Sequence, residues 1–210
     1  MLLVYEQHQI MGKHEAAFEH AYRMEWAPRL AETTDARLLW YFNVAHGAGR
    51  SYQIITLTGL ASGKTWQSLR DRLTRGDLAS WLKVVQGYRY RVVSKVLVPE
   101  PDSRLEVELA SVAGQRQEGD PGLYVEEVVR LGENGSEPPV ASSFPGFELL
   151  ASFRTAFGTG VVPERTRLYA IRDLGTLVAV MTGEPTRRQP DSAQSVTSRL
   201  LRTAAWSPLL

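Results

Sequence analysis

Cysteine is absent from this 210-residue chain. Its absence excludes disulfide staples, thiolate nucleophiles and cysteine-ligated zinc or iron–sulfur sites. An excess of one charge is missing too: 24 Lys and Arg stand against 23 Asp and Glu, a formal net charge of +1. That balance offers no basic footprint, so nucleic acid is not an expected partner. No apolar run approaches the roughly 20 residues that span a bilayer, so no membrane partner is expected. The opening MLLVYEQHQI lacks the basic region of an export signal, and a cytoplasmic location is the expectation. Site motifs are scarce as well. There is no HExxH or HxxxH spacing, no GxSxG elbow and no phosphate loop. Gly47-Ala48-Gly49 has no helix after it, so it does not read as a dinucleotide fingerprint. Neither a metal nor a tightly bound cofactor is expected.

What the sequence does contain is pattern. Residues 2–10 are β-formers ahead of Gly12 and read as a strand. Ala17, Phe18, Ala21, Tyr22 and Met24 recur at helical spacing, and Pro28 should end or kink that helix. LLWYFNVA (38–45) and SYQIITLTG (51–59) flank the loop HGAGR and read as a hairpin. Trp66, Leu69 and Leu73 mark a second helix. Gly76 interrupts it, and Asp77 is a candidate N-cap for its continuation through Trp81 and Val85. Tyr90 to Val98 is a strand stopped by Pro99 and Pro101. The order βαββαβ over residues 1–105 is ferredoxin-like.

Residues 106–120 read as a connector, and a second half spans 121–210. Its expected elements are a strand LYVEEVVRL (123–131), a helix FELLASFRTAF (147–157) closing near Gly158, and a hairpin of TRLYAIRDL (166–174) with TLVAVMTG (176–183). Ser94-Lys95-Val96-Leu97 lines up with Ser198-Arg199-Leu200-Leu201, and Ser103 and Leu105 then meet Ser207 and Leu209. Thr58-Gly59 lines up with Thr182-Gly183 at a larger offset. Together the offsets imply a second ferredoxin-like half whose second helix is shortened or lost. Alternation along 38–44 sends Leu38, Trp40, Phe42 and Val44 to one face and Leu39 and Tyr41 to the other. Both faces are apolar, so both must be covered, by a second sheet of the chain or by a partner copy in a homo-oligomer.

The chain resembles NIPSNAP-like proteins of the dimeric α/β-barrel superfamily. The likeness rests on Gly12-Lys13 at the first helix, the glycine turn at 46–49 and Arg70-Asp71-Arg72. To these it adds Asp77-Leu78 before Trp81, and the half-ending segments KVLVPEPDSRL and RLLRTAAWSPLL. It implies an α+β fold in which tandem ferredoxin-like repeats face each other as antiparallel sheets around a barrel. It also implies a range of functions, from cofactor-free oxygenases and isomerases to haem proteins and plain binding proteins, so fold alone does not assign one.

Four residues are candidates for chemistry. His8 shares a strand face with Glu6, a pair that can orient an imidazole as general base. His46 lies in a glycine-bearing loop, where function concentrates. Tyr41 and Asn43 fall on one face of the aromatic strand; if that face lines a cavity, they offer a hydroxyl and an amide to a substrate oxygen. The expected activity is binding of a small apolar or aromatic metabolite, with cofactor-independent oxidation, cyclisation or isomerisation. The alternative is a non-catalytic carrier or interaction module with a packed barrel.

Overall fold

The computed structural model of the protein describes residues 1–114, 118–131, 146–158, 164–175, 177–178 and 193–209. Eight antiparallel strands dominate it: β1 (Leu2–Ile10), β2 (Ala36–Val44), β3 (Gln53–Leu60), β4 (Arg89–Pro99), β5 (Leu123–Leu131), β6 (Phe147–Gly158), β7 (Glu164–Ile171) and β8 (Ala193–Thr203). They close into a barrel in the order β1-β3-β2-β8-β5-β7-β6-β4. Closure leaves no sheet edge to pair with another chain along the joined strands.

The ring contains one motif twice. The first half contributes the run β4-β1-β3-β2 and the second the run β8-β5-β7-β6, which is the same ferredoxin-like order. Equivalence extends to detail. β2 bulges against β3 between Leu38 and Trp40, and β6 bulges against β7 between Leu149 and Ala151. The Ser207 hydroxyl accepts the Tyr41 backbone N–H at 3.1 Å, and the Ser103 hydroxyl accepts that of Ser152 at 3.2 Å. Ala204 N–H donates to the Tyr41 carbonyl at 3.0 Å, as Glu100 N–H does to that of Ser152 at 2.8 Å. The repeated serines read from the sequence therefore lock each half's last strand onto the other half.

Several expectations are corrected. Residues 147–157 form strand β6, not a helix. Apolar residues there satisfy either period, and pairing with β4 and β7 decides between them by burying Ala151 and Phe153 completely. The second hairpin is therefore β6–β7. Thr58 and Gly59 correspond in register to Tyr169 and Ala170, not to residues 182–183, so the offset that implied a lost second helix does not hold. Of the segment 176–183 read as a strand, Leu177 and Val178 are helical and the other residues lie outside those described.

Helices cover the outer face of the first-half sheet: α1 (Glu15–Ala21), a π turn (Tyr22–Trp26), α2 (Ala27–Ala31), α3 (Gly63–Arg75) and α4 (Ala79–Gln86). Pro28 does not stop the first of these. The wide π turn absorbs the residue that cannot donate, and the chain remains helical to Ala31. Asp77 caps nothing; it accepts from Arg72 Nε at 2.9 Å and Nη2 at 2.7 Å, while Leu78 stands at the N-cap of α4.

Strand β2 is buried on both sides from Ala36 to Phe42. Its bulge reverses two expected directions. Leu38 joins Tyr41 under the helices with Phe18, Tyr22, Trp81 and Trp206, whereas Leu39 joins Trp40 and Phe42 in the barrel interior.

Candidate functional site

The interior is stratified. Leu3, Leu39, Leu97, Leu109, Ala151 and Phe153 pack with Trp40 and Leu57 in one apolar cluster. Tyr5 and Tyr124 belong to it as well. Further along the same inward faces the residues turn polar, and the barrel opens into a cavity of about 530 Å³. Gln7, Gln9, Gln53, Arg91, Lys95, Arg130, Glu164 and Arg199 line it, with Ala48, Gly49 and Arg50 of the β2–β3 loop at the rim. The apolar stratum is packed, and the open space lies where polar and charged side chains join the lining.

Charge in this mouth is unbalanced. Among the described residues, Arg50, Arg91, Lys95, Arg130 and Arg199 line it against the single carboxylate of Glu164. Glu164, 3% exposed, takes both Lys95 Nζ and Arg130 Nε, the latter at 3.2 Å. Glu126 below the cavity pairs with Arg199 Nε at 3.3 Å, while Arg199 Nη1 is buried without a hydrogen-bond partner among the described residues. Unpaired donors of this kind are costly to bury. The Tyr5 phenol lies by the Glu126 carboxylate; burial, then the Glu126 charge, pushes its pKa well up, so it stays neutral.

Both halves build this one site. Lys95 lies opposite Tyr5 in the β4–β1 register, as Arg199 lies opposite Glu126 in the β8–β5 register. β4 and β8 are four strands apart in a ring of eight, so the two cations stand on facing walls. Gln53 and Glu164 are likewise counterparts on β3 and β7, which face each other. The frame is duplicated while the lining has diverged.

The structure places the four candidate residues elsewhere. His8 and Tyr41 lie on the helix-covered outer face, on either side of Tyr22, whose ring centroid is 5.6 Å from His8 and 5.7 Å from Tyr41. Asn43 is half-buried two residues along β2, on the face that Tyr41 occupies. His46 is exposed in the β2–β3 loop and does not line the cavity. His8 has the richest surroundings. Its Nδ1 lies 2.6 Å from Arg89 Nη1, and its Nε2 lies 3.2 Å from both Thr56 Oγ1 and Tyr22 Oη. A guanidinium only donates, so Nδ1 accepts and Nε2 carries the proton. Glu6 completes the cluster at 4.0 Å from both His8 and Arg89. Burial, reinforced by the Arg89 charge, holds the imidazole pKa well below its ordinary value; burial pushes the Glu6 carboxyl up.

Among the described residues no group of three or more His, Asp or Glu is placed to hold a metal, and no helix is long and apolar enough to cross a membrane. The cavity's ionic residues were not singled out from sequence. The available signal was the repeat itself, since Lys95 and Arg199 sit at the same place in the paired segments SKVL and SRLL.

No protein-family model matches the chain, and no curated protein is significantly similar in sequence. Solved structures do share its fold. One from Lactobacillus acidophilus NCFM, whose name calls it a monooxygenase, is 12% identical over 97% of this chain and 95% of its own, with a TM-score of 0.59. An anthrone oxidase-like protein is 11% identical over 97% of this chain and 91% of its own, with a TM-score of 0.58. A NIPSNAP family protein from Agrobacterium tumefaciens str. C58 aligns with 50% of this chain and 100% of its own at 20% identity and a TM-score of 0.42. The two long matches show the fold expected from the sequence, a dimeric α/β barrel with both halves in one chain.

Proposed function

We propose that the protein binds a small acidic molecule in the mouth of its barrel. The observation that carries this reading is the surplus of cations around a cavity large enough for a metabolite, with Arg50 and Arg91 lacking a carboxylate partner among the described residues. Low-dielectric walls lined by one sign of charge concentrate counter-ions of the other, and buried donors favour a ligand that completes their hydrogen bonds. A small carboxylate such as succinate should raise the thermal unfolding midpoint in a concentration-dependent way. Arg91→Gln, a change at an exposed residue, should reduce that rise without altering the unliganded midpoint. If neither small carboxylates nor inorganic phosphate stabilise the wild type at low ionic strength, the reading is wrong.

A second reading rests on the other cluster. His8, Glu6, Arg89 and Tyr22 form a buried ionisable group beside a π turn, a feature often found at functional sites. For His8 to act there as a base, an aromatic substrate displaces Arg89 from Nδ1 and frees that lone pair. The Tyr41 hydroxyl, without a partner among the described residues, serves as donor in a cofactor-free oxidation, cyclisation or isomerisation. The neighbours named as a monooxygenase and an anthrone oxidase-like protein make a phenolic tricycle such as anthrone the first compound to try. Turnover that survives His8→Gln and Tyr41→Phe unchanged would refute these roles.

A further inference from the structure

The arrangement of the cations says more than their number. Lys95 and Arg91 come from β4, and Arg199 comes from β8, diametrically across the ring. Arg130 stands on β5 beside β8. The internal carboxylates do not even out the two walls. Glu164 is shared between Lys95 and Arg130, and Glu126 engages Arg199 through Nε but leaves Nη1 bare. On the first-half side Arg91 and Arg50 line the cavity without an ion pair to any carboxylate among the described residues. Because Lys95 draws Glu164 across the cavity, Arg50 and Arg91 on the first-half wall and Arg130 on the other are left without a carboxylate of their own among the described residues. One acid group seated at either wall would leave the other uncompensated in a partly enclosed space, where unneutralised charge is costly.

From this we infer that the ligand carries two acid groups held apart, one toward Arg91 and Arg50 and the other toward Arg199 and Arg130. The inference deepens the reading of the barrel mouth as an acid-binding site and rests on it. The duplicated frame is its structural cause. Two ferredoxin-like halves that each present a cation at the same position of their last strand generate a pair of charges facing each other across one cavity. The diverged partners, Gln9 and Gln53 on one side against Arg130 and Glu164 on the other, make the two ends unequal. The ligand's two ends are accordingly bound in a fixed order.

Calorimetric titration at fixed ionic strength tests this with compounds that differ in charge but hardly in size: succinate, succinamate and succinamide, with inorganic phosphate as a compact anion. Succinate is expected to bind at least about tenfold more tightly than succinamate, the gain of one further charge-assisted contact, and succinamide not measurably. Phosphate, whose charges sit at one centre, is expected to bind no better than succinamate. In Arg91→Gln the advantage of succinate over succinamate should shrink toward unity. Equal affinity for succinate and succinamate, or phosphate binding as tightly as succinate, would overturn the two-ended ligand while leaving an acid site in place. Absence of binding by every compound would overturn the acid-site reading together with it.

Discussion

Acidification should loosen the helix-covered face through a single group, His8. The imidazole is fully buried, packed on Phe18 and Tyr22 at centroid distances of 5.0 and 5.6 Å, and its Nδ1 lone pair is taken by Arg89. Protonating Nδ1 would set an N–H against a guanidinium N–H. The folded pKa therefore lies well below the ordinary value near 6.5, for the reasons of burial first and Arg89 second. The unfolded chain then binds more protons wherever the pH lies between the folded value and about 6.5. Stability contributed by the neutral ring is complete above about pH 6.5 and falls as pH drops, by up to about 1.4 kcal/mol per pH unit. Glu6 works the other way. Its folded pKa is raised, so protonating it as pH falls through that value favours the folded state and blunts the decline. Urea unfolding between pH 8 and pH 5 reads both effects. Wild type should lose about 1–2 kcal/mol over the last 1.5 units, His8→Gln should show a flatter profile over the same range, and Glu6→Gln a steeper one. Parallel profiles for wild type and His8→Gln would show that the imidazole is not held neutral by this packing.

Two further outcomes follow from the barrel interior. Lys95→Met should cost about 2–4 kcal/mol in chemical denaturation, because Glu164 is then buried with only the half-exposed Arg130 beside it. The double change Lys95→Met with Glu164→Leu should recover most of that loss, and a double variant no more stable than the single would remove the ion pair from the explanation. Gly158 has φ +136°, and a Cβ there would lie 3.0 Å from both the Lys95 Cα and the Ser94 carbonyl. Gly158→Val should therefore lower stability by about 1–3 kcal/mol, measured by thermal melting, whereas an unchanged midpoint would mean the β4–β6 seam can shift freely.

How much of this was legible in the sequence depends on which physical signal each residue carries. The first half was readable because its strands and helices have distinct apolar periods and are separated by glycine and proline. The need to cover both faces of Leu38–Val44 was readable for the same reason, and it is met on one side by the helices and on the other by the barrel. Residues 147–157 were misread because apolar residues at 147, 149, 150, 151, 153, 156 and 157 fit a helix as well as a bulged strand. What decides is hydrogen bonding to β4 and β7, which no local window contains. The directions of Leu38 and Leu39 were lost to the same cause, since one extra residue in a strand flips the face of its neighbours. Site residues failed differently. Titratable and aromatic side chains draw attention to His8, Tyr41, Asn43 and His46, yet which end of a barrel stays open depends on side-chain volume summed over eight strands. Lys95, Arg199 and Glu164 look like ordinary exposed strand residues until closure turns them inward. The repeat carried that information without its meaning: SKVL and SRLL each put a cation before an apolar run on the strand that joins the halves. A duplicated strand in a closed ring must place its inward cation opposite its twin, so the recurrence of Lys95 as Arg199 is itself the reason that one cavity holds charge on two walls.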